Sequence, residues 1–325
     1  GDETGRRFAQ ALGLAQARGV QVRVLVDGVG ELLWRPRGAP LLRKHGVRVA
    51  RFFPPKLLPP MLHINLRNHR KLMVVDGRCA FTGGMNIGDH HFAGRNSGRP
   101  SSDMQFQIRG PAVGQLAQVF AEDWQQSTQE VLEPVCGNQA PAGAAWCRAI
   151  TDGPNDRIDR LQMLLLAALA NAHHRVHIMT PYFSPTPDLV GAMQSAALRG
   201  VEVCVILPQR SDQPWMDAAA RRWMMQMLEY PLRFYLQPAP FAHTKFLVMD
   251  GYYTQVGSAN LDTRSLRLNF ELVLETYDAE LAGSLQKHFD TVRSGSHEVT
   301  RDELRSRPLA RRLLDSACWL FSPYL

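Results

Sequence analysis

HRKLMVVDGRCAFTGGMN, from His69 to Asn86, returns 174 positions later as HTKFLVMDGYYTQVGSAN, from His243 to Asn260. Both copies read H-x-K, four residues, Asp, six residues, then Gly, Gly or Ser, any residue, and Asn. At this chain's own residue frequencies, one H-x-K-x4-D match is expected by chance about 0.01 times, so two matches with the same extension indicate a duplicated unit. The four apolar residues before each Asp predict a buried strand, and Asp-Gly predicts a turn. On a strand, residues i and i+2 share a face, so His69 projects with Lys71 and His243 with Lys245.

Outward from the motif the duplication continues. A helical pattern closed by Arg-Gly and followed by an alternating strand occupies Arg7 to Gly30 and again Pro187 to Arg210. Downstream, DMQFQIRG from Asp103 parallels ELVLETYD from Glu271, each an acidic residue opening a strand. The second half has one strand more, within His173 to Pro185, ahead of its helix. The first half starts inside the helix, so an N-terminal strand is expected to be missing from this chain. EPVCGNQAPAGAA (Glu133 to Ala145) lacks periodicity and reads as a linker. The expected organisation is a first unit over 1–132, a linker over 133–148 and a second unit over 149–325. The fold class is α/β: two units with mixed sheets flanked by helices, related by a pseudo-twofold axis, the two H-x-K strands meeting in one shared site.

Composition narrows the chemistry. The chain has 325 residues, 45% hydrophobic and 21% charged, which is globular and not disordered. Net charge is +7, pointing to phospholipid head groups or nucleic acid as partner. Of the 37 basic residues only five are Lys, and two of those five are Lys71 and Lys245. The motif thus selects an ammonium, a compact charge suited to phosphate oxygen, in a chain that otherwise uses guanidinium. Imidazole serves as nucleophile or acid/base near neutral pH, Asn86 and Asn260 can donate side-chain N–H groups to phosphoryl oxygen, and Asp103 and Glu271 can orient the histidines. Asp76 and Asp250 read as supporting the site through ion pairs. The five cysteines form no C-x-x-C pair, so no disulfide framework or zinc site is expected.

The paired motifs with their Gly-Asn extensions resemble the phospholipase D superfamily over essentially the whole chain from Thr4. The surrounding text, TGGMNIGD (Thr82 to Asp89), RGPAV (Arg109 to Val113), TPYFSP (Thr180 to Pro185), GSANLDTRS (Gly257 to Ser265) and LNFE (Leu268 to Glu271), is most similar to bacterial cardiolipin synthases. The resemblance implies metal-independent phosphatidyl transfer through a phosphohistidine, with no cofactor. It carries over a catalytic set of His69, Lys71, Asp76, His243, Lys245 and Asp250, with His69 as nucleophile and Asn86 and Asn260 on the phosphate. Anionic phospholipids and a membrane surface are the implied partners, with no nucleic acid. The implied location is peripheral on the cytoplasmic face of the cell membrane, with membrane segments possible upstream. Hydrolysis to phosphatidic acid, phosphodiester cleavage of nucleic acid and a catalytically silent lipid-binding module stand as alternatives.

Other features read more plainly. His63, His90, His91, His173, His174, His177, His288 and His297 are expected to be structural, and Asp89-His90-His91 a loop without metal. ARRWMMQMLEY (Ala220 to Tyr230) and LARRLLDSACWLFSPYL (Leu309 to Leu325) each combine apolar residues with arginines and are candidates to meet a membrane. The Pro-flanked segment FFPPKLLPP could border an acyl-chain entrance.

Overall fold

The structure, a computed structural model, describes residues 2–33, 37–55, 66–91, 100–135, 137, 140–154 and 159–321. His63, Cys136, the Pro59-Pro60 end of the apolar loop, residues 93–99 and the last four residues of the tail lie outside them.

In each half the helix stops at the same device. Gly19 and Gly200 both take φ 91°, and the next residue donates back into the last turn, Val20 to Ala15 O and Val201 to Ala196 O, both at 3.1 Å. The chain then enters the strands Arg23–Asp27 and Glu202–Pro208. Each motif forms a hairpin. Leu72–Val75 pairs antiparallel with Cys79–Gly83, and Phe246–Met249 with Tyr253–Gly257. The turns are Asp76-Gly77 and Asp250-Gly251, all four residues at positive φ, as a type I′ turn requires. The acid-led strands Gln105–Arg109 and Glu271–Tyr277 complete each hairpin sheet.

The halves differ in how far the sheet is joined. In the second half, Arg175–Met179 lies parallel to Glu202–Pro208 and antiparallel to Phe246–Met249, knitting an eight-stranded mixed sheet. In the first half, among the described residues, no strand takes that place, and the sheet falls into the parallel pair Arg23–Asp27 with Arg48–Phe52 and the three-stranded hairpin sheet. The strand Trp146–Asp152 begins at the end of the expected linker and edges the second sheet against Glu271–Tyr277.

One apolar core draws on both halves. Ala80, Ile108, Val113 and Leu116 pack with Val248, Val256, Leu272 and Phe289. A second core lies on the far face of the large sheet, where Leu161, Leu189, Met193 and Phe234 meet. That second layer is why Phe246–Met249 is buried at every position. Leu72–Val75, expected to be buried likewise, is half-buried on one face only, with Met73 and Val75 exposed, because among the described residues no comparable helix layer covers its far side. The Ala220 to Tyr230 segment lies mostly in the helix Pro214–Met227, where Trp223, Met224 and Met227 are core residues, so these apolar side chains pack inward. Among the described residues no helix is long and apolar enough to cross a membrane, and the described cysteines are all free.

Candidate active site

Each H-x-K segment is held by the opposite half. His69 N donates to Phe270 O at 2.9 Å, and Phe270 N to Arg67 O at 2.8 Å. Reciprocally, Phe241–Ala242 runs parallel to Ser101–Ser102, and His243 N donates to Ser102 O at 2.8 Å. Every segment that carries a histidine is therefore laid against the residues leading into the other half's acid. The side chains follow. His69 Nδ1 lies 2.9 Å from Glu271 Oε1, and His243 Nδ1 lies 2.6 Å from Asp103 Oδ2. The orienting carboxylates expected from the sequence are present, but they are exchanged between the halves. Held at Nδ1 by a carboxylate, each ring keeps Nε2 free for chemistry.

The two acids are not equivalent. Glu271 is fully buried, which alone would push its carboxyl up. His69, Lys71 and the Ser258 hydroxyl outweigh that and hold it at about 2. Ser258 Oγ donates to Glu271 Oε2 at 2.5 Å and Asn269 Nδ2 to Oε1 at 3.2 Å. Burial instead pushes the Asp103 carboxyl up, with Lys245 and the Met104 N–H opposing it only in part. The matching position explains the contrast. Where the second half has Ser258, the first has Gly84, and a Cβ there would lie 2.5 Å from Asp103 Oδ1. The G-G/S pair of the motif thus admits one carboxylate tightly against bare backbone and gives the other a hydroxyl donor.

The bases respond to the same burial. It lowers the His69 imidazole in spite of Glu271, and Lys71 and Lys245 lower it further. His243 falls well below its ordinary range, through burial and then Lys245, whose Nζ lies 3.0 Å from His243 Nδ1, and Lys71. Burial draws Lys71 down to about 8 against Glu271 and Asp103, and Lys245 to about 7 against Asp103. The ammonium groups are held by backbone, Lys71 Nζ to His69 O at 2.7 Å and Lys245 Nζ to His243 O at 2.5 Å. Below, Arg70 donates to Glu271 O at 3.0 Å and pairs with the buried Asp123 at 2.5 Å, fixing the strand that carries His69.

Three expectations change. Asp76 and Asp250 are not in the site, because each is the first residue of the turn at the far end of its strand. Seven residues at ~3.3 Å each put Asp250 roughly 20 Å from His243. Nor does Asp250 act through ion pairs: its carboxylate accepts the backbone N–H groups of His173, His174 and Arg175 at 2.8 to 2.9 Å. The exposed Asp76 has no such strand beside it among the described residues. The two asparagines also diverge. Asn260 is buried, with its side chain bonded to Asp262, whereas Asn86 is exposed.

The third change is His91, which belongs to the site. Its Nδ1 is 3.8 Å from Asp103 Oδ2, its ring packs 5.2 Å from that of His243, and burial draws it down to about 4. The Asp89-His90-His91 turn has two jobs. Asp89 accepts Thr4 N at 2.8 Å at the start of the helix Glu3–Ala17, and the His91 ring is held with Ser101 Oγ 3.0 Å from its Nδ1. Ser258, Asn269 and His91 escaped the sequence reading, although the Gly/Ser difference between the copies marked the first. His91, Asp103 and His243 also bring ligand atoms within 4.8 Å of one another. The Lys245 ammonium beside His243 places positive charge where a metal ion would sit, so the cluster does not suit a cation. Of the histidines expected to be structural, His177 stacks 4.3 Å from Phe289.

Two histidines, two lysines and two carboxylates exchanged across a pseudo-twofold axis define a site of the phospholipase D class. The family described as "Cardiolipin synthase, PLD-like domain" matches residues 4–124 and 165–293, and the chain belongs to that family. It is 34% identical over 316 residues to cardiolipin synthase A of Pseudomonas putida, covering 96% of this chain and 66% of that protein. It is 33% identical to the major cardiolipin synthase of Bacillus subtilis, covering 100% of this chain and 68% of that one. The chain thus spans about two thirds of the length of these relatives. In fold it is similar to phosphatidylserine synthase of Haemophilus influenzae, with a TM-score of 0.76 at 16% identity over 100% of this chain and 88% of that one.

Proposed function

We propose that the protein is a phosphatidyltransferase that makes cardiolipin from phosphatidylglycerol or a related phospholipid through a covalent phosphohistidine. The observation that carries this reading is the unequal acid pair behind two histidines in one site. Glu271 stays ionised and presents His69 as a neutral imidazole with Nε2 free, the state of a nucleophile. Asp103, pushed up by burial, holds a proton against His243 Nδ1 and leaves the ring's own proton on Nε2, the state of a general acid; Asp103 passes its proton to Nδ1 as Nε2 releases one. His69 Nε2 attacks the phosphorus, the P–O bond to the glycerol leaving group breaks, and His243 Nε2 gives that oxygen its proton. Lys71 and Lys245 bind the phosphoryl oxygens whose charge grows in the transition state, the role the motif also gives Asn260 and Asn86. In the second half-reaction the hydroxyl of another phosphatidylglycerol loses its proton to His243 and attacks phosphorus as the P–N bond breaks. The relatives named above as cardiolipin synthases support transfer over hydrolysis. No cofactor enters the scheme, and the work is done peripherally at the cytoplasmic face of the membrane.

The domain division follows the same reading, with units over 1–132 and 149–325 joined by 133–148. Incubation with labelled phosphatidylglycerol vesicles should yield cardiolipin and glycerol. Phosphatidic acid in place of cardiolipin would mean that water resolves the intermediate. Alkaline quenching should trap a labelled phosphoryl adduct on a peptide containing His69, and label on His243 alone would reverse the two roles. Cleavage of DNA at low salt without lipid turnover would replace the reading with a nuclease.

A further inference from the structure

The helix Leu309–Phe321 is inverted for a surface helix. Its acid, Asp315, is 6% exposed, while Leu309, Leu313, Leu314, Leu320 and Phe321 are 60% to 68% exposed. Leu309, Leu313 and Leu320 fall within about 40° of one another around a 3.6-residue helix, a single stripe turned to solvent. The inward face is fixed by charge and aromatics. Asp315 meets Arg221 and Arg307, both at 3.3 Å, and Trp319 packs edge-on to Trp223 with the Arg222 guanidinium 5.5 Å from its ring. Between this helix and Pro214–Met227 opens a cavity of about 270 Å³, lined by Arg221, Arg222, Arg307 and Arg312 with Asp315 as its one carboxylate.

We infer that this cavity and the apolar stripe beside it form one docking surface for an anionic bilayer, a lipid phosphate entering among the arginines while the leucines insert between acyl chains. Charge complementarity identifies the occupant. Four guanidiniums against one carboxylate leave the cavity cationic, and guanidinium pairs with phosphate oxygens in bidentate fashion. The stripe supplies the second half of the argument, since leucines on the helix that also supplies Arg312 match an interface that is charged at its surface and apolar a few ångströms deeper. None of these residues belongs to the histidine site, so the inference does not rest on the transfer reaction.

The test is co-sedimentation of the full chain with vesicles of phosphatidylcholine, with or without one third phosphatidylglycerol. Binding should require the anionic lipid, weaken with added salt and persist in His69→Ala. Arg312→Glu should weaken it by roughly tenfold, about fivefold being expected for the loss of one basic contact before the added repulsion. Leu313→Ser with Leu320→Ser should abolish stable binding. All three positions are exposed, so both variants should melt as the parent does. Equal binding to both vesicle types, unchanged binding by either variant, or loss of binding in His69→Ala would overturn the inference. So would a leucine variant that turns a dimer into a monomer in light scattering and leaves vesicle binding intact, since the stripe would then face a second copy. Competition by millimolar inorganic phosphate without any vesicle binding would reduce the cavity to a free-anion site and would equally overturn it.

Discussion

Replacing Glu271 by Gln separates what its charge does from what its shape does. The carboxyl sits at about 2 instead of 4.5, which corresponds to roughly 3 kcal/mol of preference for the ionised form. Only part of that is present in the resting enzyme, because the His69 imidazole is itself lowered and neutral near pH 7. Lys71, Ser258 and Asn269 supply that part. On the proposed mechanism the share due to His69 returns as the ring gains positive charge on attacking phosphorus, so it stabilises the transition state over the ground state. A rate loss on the order of a hundredfold is therefore expected, with KM little changed. Single-turnover mixing with labelled phosphatidylglycerol would measure it. The same substitution predicts a change in acid stability. A carboxyl depressed on folding adds stability that is complete above its unfolded pKa and is lost as pH falls through its folded one, here from 4.5 towards 2. Urea unfolding across that window should show a weaker pH slope for Glu271→Gln than for the parent. If the variant turned over within threefold of the parent, the argument that Glu271 pairs with developing charge on His69 would be wrong, whatever its stability.

Other expectations follow from the same geometry. Lys245, at about 7, and Lys71, at about 8, lose their protons as pH rises, so kcat/KM should fall from pH 7 to 9. The limb in kcat should lie higher, because bound phosphate favours the ammonium; a flat kcat/KM over that range would refute this. Gly84→Ala, whose Cβ would crowd Asp103, should cut kcat by ten- to a hundredfold while far-ultraviolet circular dichroism stays unchanged. Asp250→Ala removes the acceptor of three backbone N–H groups and should cost about 1–3 kcal/mol in chemical unfolding with kcat within threefold. A large kcat effect at full stability would return Asp250 to the catalytic machinery.

What the sequence disclosed and what it hid divide along physical lines. The duplicated motif was legible because histidine, lysine and the turn residues stand at fixed spacings on one local hairpin. The acids were legible as candidates but not as partners, since His69 meets Glu271 across 202 residues and His243 meets Asp103 across 140. Only closure of the two halves sets those pairs. Asp76 and Asp250 misled by keeping motif spacing, although Asp-Gly between two apolar runs is itself the signature of a type I′ turn. His91 was hidden because one histidine in a polar loop carries no period. The unequal cover over Leu72–Val75 and Phe246–Met249 was hidden because near-identical strands can be packed on one face or on two.

The exchange of carboxylates makes the site an interlock. Since each half supplies the acid that aims the other half's histidine, any breathing motion that parts the halves misaligns nucleophile and proton donor in one stroke. On the proposed mechanism neither half alone holds a working centre, and a phosphoryl enzyme caught open would have lost the base that activates water. Fidelity to a second lipid over solvent then becomes a property of how tightly the two repeats stay shut, and substitutions at their seam should tune it without touching the substrate.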